Sequence, residues 1–324
     1  MLRNAVEFGQ RLLIAIALAF MFTASDSDAQ MKQASEVRIV FVTHGQAKDP
    51  YWSVVKSGLQ AAAKMTGAKV EYFAPATWDV AQMARMIDDA VVAKPDGLVV
   101  SIPDAAALRS HVLAAKKAGI PVIVIDSGSQ QAKDWGLSSY VGGGADYDSG
   151  IRVGKLMAGQ GVRSAICINH EVGNVGLDQR CQGLSDGLMP TGQVAVVAVS
   201  LDPRDAANRV EAYLKAHPDV TGLLTLGPAS AGPVLAMLRH TGMLSKLKFG
   251  TFDLSPEVLD AVAKGDMMFG IDNQPFLMGY LPVVFLTLHA MYGAQPIDNV
   301  STGPAFVMRA EAANVLEMSK QGLR

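Results

Sequence analysis

The sequence of 324 residues carries little excess charge, few aromatic residues and only two cysteines. Its 28 Lys and Arg residues stand against 30 Asp and Glu residues, which leaves a formal net charge of −2. This near balance excludes the basic field with which nucleic-acid-binding proteins hold phosphates. The cysteines and the six histidines form no cluster at metal-ligand spacing, so we expect neither a metal site nor a cofactor. Intrinsic disorder is excluded because half of the residues are hydrophobic.

The chain also lacks the short motifs of common catalytic sites. Gly142–Gly144 follows a predicted strand, but Tyr147 occupies the third glycine position of a dinucleotide-binding G-x-G-x-x-G motif. The stretch 227–232 has the glycine spacing of a phosphate-binding loop, but Pro233 and Val234 stand where Lys and Ser or Thr are needed. No G-x-S-x-G nucleophile elbow is present. We therefore expect a protein that is not an enzyme.

The N-terminus has the layout of an export signal. Arg3 and Arg11 supply positive charge, Leu12–Phe22 is an unbroken apolar run, and Ser27–Ala29 offers small residues at a cleavage site. The apolar run is shorter than the about 20 residues that a membrane-spanning helix needs. We predict a cleaved signal peptide over residues 1–29 and a mature protein outside the cytoplasm; the alternatives are a membrane anchor or a buried N-terminal helix.

Export places the two cysteines in an oxidising compartment. Cys167 lies in a predicted strand and Cys181 in the helix that follows it. We therefore predict a disulfide between Cys167 and Cys181, and the alternative is two buried free thiols.

Short apolar strands alternate with helices along the mature chain. Val37–Thr43, Gly97–Ser101 and Pro121–Ile125 are predicted strands that are apolar almost throughout, and each is followed or preceded by a helical pattern. Such strands are typical of parallel sheets that are covered by helices on both faces. The alternation restarts near Gly144 and continues for as many units again, so we predict an α/β protein with two doubly wound lobes.

Polar and aromatic side chains follow most of the predicted strands. In open α/β sheets, ligands bind outside the carboxyl ends of the strands. Carboxylates and amides hydrogen-bond paired hydroxyls, and an aromatic face packs on the C–H face of a sugar. The alternative is that these residues serve as turn and N-cap residues. The candidates are Asp49, Tyr51, Trp52, Ser101, Asp126, Ser127, Asn174, Asp178, Arg180, Asp253, Asp272, Asn273 and Gln274.

Several of these residues belong to segments that together suggest a family. The segments are Asp49–Trp52, Pro121–Asp126, Arg180–Leu184, Ala216–Val220, Gly250–Asp253 and Asn273–Pro275. These segments occur in this order behind an export signal. The chain from Val37 to Val307 therefore resembles the ribose-binding-like periplasmic sugar-binding proteins of ABC importers, which are type I periplasmic binding proteins. The resemblance implies two Rossmann-like lobes with parallel sheets, joined by a three-strand hinge. It places one lobe at 36–144 plus 274–304 and the other at 145–273 plus 305–324.

The resemblance also implies roles for individual residues. Asp49 matches a position that holds sugar hydroxyls, and Tyr51 and Trp52 match two stacking aromatics. The further matches are two hydroxyl-binding carboxylates, an arginine and an amide, namely Asp126, Asp253, Arg180 and Asn273. Ser101 and Ser127 complete the expected ligand-binding set, at the ends of the strands that precede them.

Three departures from the ribose-binding pattern bear on the ligand. Ser127 stands where that pattern has Arg, Leu201 replaces an aromatic residue, and Gly227 replaces Asn. The loss of one Arg and one Asn removes several donors, which argues against ribose itself. A ligand that is smaller, that is differently configured, or that is an open-chain polyol remains open.

The resemblance implies a solute-binding component of an ABC transporter. Such a protein would bind a sugar or polyol between its lobes, close around it, and deliver it from the periplasm to a permease in the inner membrane. We expect it to act as a monomer, without nucleic acid. The alternative is a sensory binding protein that presents its liganded form to a membrane receptor.

Overall fold

The structure is a computed structural model, described here for residues 32–45, 49–296 and 298–324. The predicted signal peptide, residues 1–29, lies outside the described residues and stays a prediction.

Twelve strands and eleven α-helices alternate along the described residues. The strands are β1 (Arg38–Val42), β2 (Lys69–Phe73), β3 (Gly97–Val100), β4 (Val122–Ile125), β5 (Ser139–Gly142), β6 (Ser164–Asn169), β7 (Gln193–Ala198), β8 (Gly222–Thr225), β9 (Lys248–Phe252), β10 (Phe269–Asp272), β11 (Val300–Ser301) and β12 (Ala305–Val307). The helices are α1 (Pro50–Thr66), α2 (Val80–Ala93), α3 (Ala105–Lys117), α4 (Ser129–Asp134), α5 (Asp146–Gly159), α6 (Val175–Leu188), α7 (Pro203–Ala216), α8 (Pro228–Thr241), α9 (Pro256–Lys264), α10 (Pro275–Tyr292) and α11 (Arg309–Lys320).

The strands form two six-stranded sheets, one in each lobe. The first has the order β11-β5-β4-β3-β1-β2, and the second has the order β12-β10-β9-β8-β6-β7. All neighbours in the first sheet are parallel. The second sheet is parallel except for β12, which runs antiparallel to β10. Apolar side chains are buried on both faces of each sheet, and the predicted two-lobe α/β fold is confirmed.

The chain passes between the two sheets at three places. These passages lie between β5 and α5, between β10 and α10, and between β11 and β12. Helix α10 packs along α1 on the first sheet, while α11 packs on α9 beside the second. Each lobe therefore contains a late segment of the chain, and the lobe boundaries given by the resemblance stay a prediction.

Helix α10 is long and apolar enough to cross a membrane by its length and composition. Its Val283 and Leu286 belong to the core beneath the first sheet. A Cβ atom added to Gly279 would lie 2.0 Å from the backbone oxygen of Val55 in α1. The helix is therefore packed closely, backbone to backbone, as a core element of the first lobe.

A disulfide joins Cys167 in β6 to Cys181 in α6, with their Cα atoms 5.6 Å apart. It connects the strand to the helix that carries Arg180. The pairing is the one expected from the sequence.

Candidate functional site

A cleft with an empty volume of about 330 Å³ lies between the two lobes, at the carboxyl ends of the strands. Six residues expected from the sequence line it: Asp49, Tyr51, Trp52, Asp126, Arg180 and Asp253. Seven further residues line it that the sequence analysis did not assign: His44, His170, Glu171, Leu177, Leu226, Gly227 and Pro228. The cleft is thus both polar and partly apolar, with walls from both lobes.

Two aspartates occupy equivalent places in the lobes. Asp126 follows β4 and Asp253 follows β9, and each has a φ of 59°. The left-handed region is unfavourable for a residue with a Cβ atom, and such conformations concentrate at functional sites. Both carboxyl groups are buried and line the cleft. The backbone therefore holds the two side chains in place at a cost in conformational energy.

Each of these carboxyl groups is oriented by neighbouring donors. The Tyr51 hydroxyl donates to Asp126 Oδ1 at 2.8 Å, and Ser127 Oγ donates to Asp126 Oδ2 at 3.2 Å. On the other side, the Asn273 amide donates to Asp253 Oδ1 at 3.0 Å. Ser127 and Asn273, which were expected to bind ligand, here contact the two aspartates and are absent from the cleft lining.

Arg180 is the cationic group of the cleft. Its Nε donates to Asp146 Oδ1 at 2.8 Å, and its Nη1 lies 3.8 Å from Asp253 Oδ2. The guanidinium also lies 4.4 Å from the ring centroid of Phe252. These contacts fix the plane of the guanidinium while part of it lines the cleft. Such a group donates hydrogen bonds in a fixed geometry.

Burial alters the protonation of two cleft carboxyl groups. It raises the pKa of Asp49 to about 7, against a lowering by the hydrogen bond from the Tyr51 backbone. Burial also raises the pKa of Asp253 to about 7, against a lowering by the charge of Arg180. Near neutral pH these groups are therefore partly protonated, so that each can donate as well as accept a hydrogen bond.

His44, at the end of β1, reaches across the cleft. Its Nδ1 lies 2.7 Å from Ser101 Oγ in the same lobe. Its Nε2 lies 3.6 Å from Asp126 Oδ2, which belongs to the same lobe. The same nitrogen lies 3.6 Å from Glu171 Oε2, which belongs to the other lobe. Ser101 therefore contacts His44 and is absent from the cleft lining.

Asn174 completes this network from the second lobe. Its amide donates to Glu171 Oε2 at 2.9 Å and lies 3.3 Å from His44 Nε2. Its Oδ1 accepts from Ser127 Oγ at 3.0 Å and from the Gly176 amide at 3.0 Å, where it caps α6. Asn174 is therefore an N-cap residue that also bridges the two lobes, and it is absent from the cleft lining.

The two predicted aromatics differ in how they contribute. Trp52 is 2% exposed, and its ring meets those of His44 and Tyr51 edge-on at 4.9 and 5.2 Å. Tyr51 directs its hydroxyl to Asp126 and to the sulfur of Met278. Trp52 thus supplies an apolar wall, while Tyr51 positions a carboxylate.

Three strand-end residues lie away from the cleft lining. Asp178 accepts from the Asn169 amide, Asp272 pairs with Arg324, and the Gln274 amide donates to the Thr302 carbonyl oxygen. They brace the loops after β6 and β10.

The residues missed by the sequence analysis carried a usable signal. His170 directly follows β6 and His44 lies two residues after the end of β1, so the strand-end rule that selected Asp126 applies to them as well. Within the residues that the structure describes, His, Cys, Asp and Glu form no metal-binding group. The arrangement is instead suited to hydrogen-bond a polyhydroxylated molecule against an apolar wall.

Comparison with known proteins gives a consistent result. A family model described as periplasmic binding protein domain matches residues 39–294. The xylose/arabinose-binding protein XylF of Sulfolobus acidocaldarius is 25% identical over 299 residues, which cover 87% of this chain and 74% of that protein. The ribose import binding protein RbsB of Bacillus subtilis is 24% identical over 243 residues, 72% of this chain and 75% of that protein.

Solved structures show the same likeness. A carbohydrate transporter from Acidothermus cellulolyticus, in complex with myo-inositol, has a TM-score of 0.83 and 30% identity, covering 89% of this chain and 99% of that one. An ABC transporter solute-binding protein from Burkholderia graminis, in complex with D-arabinose, has a TM-score of 0.78 and 24% identity, covering 87% of this chain and 98% of that one. At 24% identity, the likeness to the Burkholderia graminis protein shows a shared fold.

Proposed function

The chain belongs to the periplasmic binding protein family as a type I sugar-binding protein of ABC transporters, and we propose that it binds a sugar or a cyclic polyol in the cleft and delivers it to an inner-membrane permease. The observation that carries this proposal is the cleft itself. Asp126 from one lobe and Asp253 and Arg180 from the other converge on one space beside Trp52.

The chemistry of the cleft favours several adjacent hydroxyls over a single charged group. Carboxyl groups that are partly protonated, together with a guanidinium, donate to and accept from the same hydroxyls. The inositol, arabinose, xylose and ribose named for the relatives all present such hydroxyls. Ser127 stands where the ribose-binding pattern has Arg, so the cleft lacks that guanidinium. We therefore rank a cyclic polyol ahead of ribose as the candidate ligand.

The cellular role follows from the family and from the predicted signal peptide. We propose that the mature protein acts in the periplasm as a monomer that cycles between its ligand and the permease. The relatives include a ribose import protein, which favours import over the sensory role considered above.

A ligand screen on the mature protein tests the proposal. Thermal unfolding would be followed with myo-inositol, pentoses, hexoses and open-chain polyols, with amino acids and nucleotides as negative controls. A true ligand stabilises the protein by RT ln(1 + [L]/Kd), roughly 4 kcal/mol at a thousandfold excess over Kd. A screen in which no sugar or polyol raises the unfolding temperature, or in which the negative controls raise it equally, would refute the proposal.

A further inference from the structure

Gly227 lines the cleft directly after β8, and its backbone does not require glycine. Its φ of 179° and ψ of 163° describe an extended conformation that any residue adopts. The space around it is tight for any larger residue, because the neighbouring imidazole would have to shift by a few tenths of an ångström. A Cβ atom added there would lie 3.1 Å from Cε1 and 3.6 Å from Nε2 of the His170 ring. Gly227 therefore leaves room for that ring.

His170 lines the cleft from the end of β6. Its Nδ1 is buried and has no hydrogen-bond partner within the described residues. Buried polar atoms without a partner are rare in native proteins, and each calls for an explanation. Burial lowers the pKa of His170, so the imidazole is neutral near pH 7 and offers one N–H donor and one nitrogen acceptor.

Apart from the remaining N–H groups of Arg180 and the protonated fraction of Asp49 and Asp253, the other polar groups of the cleft are engaged within the protein or are acceptors. Tyr51 donates its hydroxyl to Asp126, Arg180 donates its Nε to Asp146, and the two nitrogens of His44 face Ser101 and Asn174. Four carboxyl groups line the cleft: Asp49, Asp126, Glu171 and Asp253. A hydroxyl oxygen of the ligand needs a donor, so a cleft of this composition gains from an imidazole whose hydrogen-bonding capacity is not used by the protein.

We propose that His170 is a specificity-determining residue, whose imidazole hydrogen-bonds one hydroxyl of the ligand from a position that Gly227 keeps open. The inference rests on the proposed function and goes further, because it assigns the recognition of one hydroxyl to one ring. Inverting that hydroxyl would remove the bond and leave the rest of the ligand in place. The protein should therefore distinguish epimers that differ at a single carbon.

Calorimetric titration with two epimer pairs tests the inference. The probes are myo-inositol with scyllo-inositol, and D-arabinose with D-ribose. The variants are His170→Leu, His170→Gln, Gly227→Ala and the double variant His170→Leu/Gly227→Ala. Gly159→Ala is the matched control, because a Cβ atom there meets nothing within 4 Å. Unfolding temperatures establish that each variant is folded.

For the pair that the wild type distinguishes, His170→Leu should lose about tenfold in affinity for the preferred epimer. The ratio of affinities between the two epimers should fall by a similar factor, which a purely structural role of His170 would leave unchanged. His170→Gln should restore part of the ratio, since an amide also donates and accepts. Gly227→Ala should weaken binding in the presence of His170 but not in the His170→Leu background, because the methyl group then meets no ring.

Each contrary outcome is informative. Folded His170 variants with the wild-type ratio of affinities would overturn the inference while the proposed function stands. An effect of Gly227→Ala that is equally large without His170 would also overturn it. If the wild type binds neither pair nor any other polyol, the proposed function fails and the inference fails with it.

Discussion

At the residue scale, the site depends on carboxyl groups that the fold has taken out of water. Asp126 and Asp253 combine burial with a left-handed backbone, and each accepts a hydrogen bond from a neutral donor, while Arg180 also lies 3.8 Å from Asp253. Such groups keep hydrogen-bonding capacity for a ligand. They also make the free protein sensitive to protons and to substitution.

Removing one of these carboxylates should weaken binding without unfolding the protein. We expect Asp126→Ala to reduce the free energy of ligand binding by about 1.5–3 kcal/mol, because a ligand hydroxyl loses a charged acceptor in a closed cleft. Arg180→Ala should act in the same direction. Calorimetry with the ligand found in the screen measures the loss, and Asp219→Ala, an exposed carboxylate of the second lobe, is the control. Wild-type affinity in both cleft variants would show that the ligand binds elsewhere.

The raised pKa values give a pH dependence of stability with a definite sign. Asp49 and Asp253 have pKa values of about 7 in the folded protein and the ordinary value of 3.8 in the unfolded chain. The folded state thus binds more protons between these values, so the free energy of unfolding falls as the pH rises from about 4 to about 7.

The matching experiment is chemical denaturation of the ligand-free protein across this range. The variant Asp49→Asn/Asp253→Asn should lose less stability between pH 5 and pH 8 than the wild type, by on the order of 5 kcal/mol, since each of the two groups contributes about 1.4 kcal/mol per pH unit up to its folded pKa. Parallel curves for wild type and variant would mean that these carboxyl groups titrate normally.

At the element scale, the sequence predicts the elements with a clear apolar period and misses those with few buried side chains. Helices α1 and α9 are readable from the sequence, because each has an N-cap residue and a proline at its start and a glycine after its end. Helix α4 has six residues and one buried side chain, Ala132, so no apolar period reveals it. Strand β11 has two residues and exists through its pairing with β5. Helix α11 was also missed, because only Ala312 and Ser319 are buried on it.

The same distinction applies to the site. Six lining residues could be predicted because each follows an apolar strand in the sequence. Gly227 was recognised only as a departure from the ribose-binding pattern, and Glu171 could not be predicted, because their roles depend on which strand ends face each other across the cleft. Tyr51 lines the cleft because its hydroxyl is held by Asp126, and Ser101 is buried behind the lining because it contacts His44. In both cases the position depends on a partner in another part of the chain.

The disulfide between β6 and α6 should stabilise the second lobe. Replacing Cys167 and Cys181 by Ala should lower the free energy of unfolding by about 3 kcal/mol, from the entropy of the short loop that the bond closes in the unfolded chain. Denaturant unfolding of the variant and the wild type measures the difference. Two titratable thiols in the unfolded, non-reduced wild-type protein from the periplasm would contradict the bond.

At the scale of the whole molecule, hydrogen bonds beside the cleft join the two lobes directly. Ser127 and His44 of one lobe meet Asn174 of the other, and the Val175 amide donates to the Pro103 carbonyl oxygen at 2.9 Å. Three short passages of chain are the only covalent connections within the described residues. Such a molecule can open and close as two rigid bodies, with the ligand favouring closure.

Small-angle scattering tests this motion. We expect the radius of gyration to fall at saturating ligand, and Asn174→Ser to need more ligand for the same decrease. Serine retains the N-cap of α6 but is too short to reach His44 and Ser127. A radius that is already that of the closed form without ligand, and that ligand leaves unchanged, would exclude the hinge.

The three passages of chain also determine when each lobe can be completed during synthesis. The first sheet lacks its edge strand β11 and its covering helix α10 until the whole second sheet except β12 has been made. The second lobe in turn waits for β12 and α11. Neither lobe is a contiguous piece of the sequence, so a chain that stops before residue 275 would leave both unfinished. Both lobes should therefore reach their native form together, in the last stage of folding, and unfold as one cooperative unit.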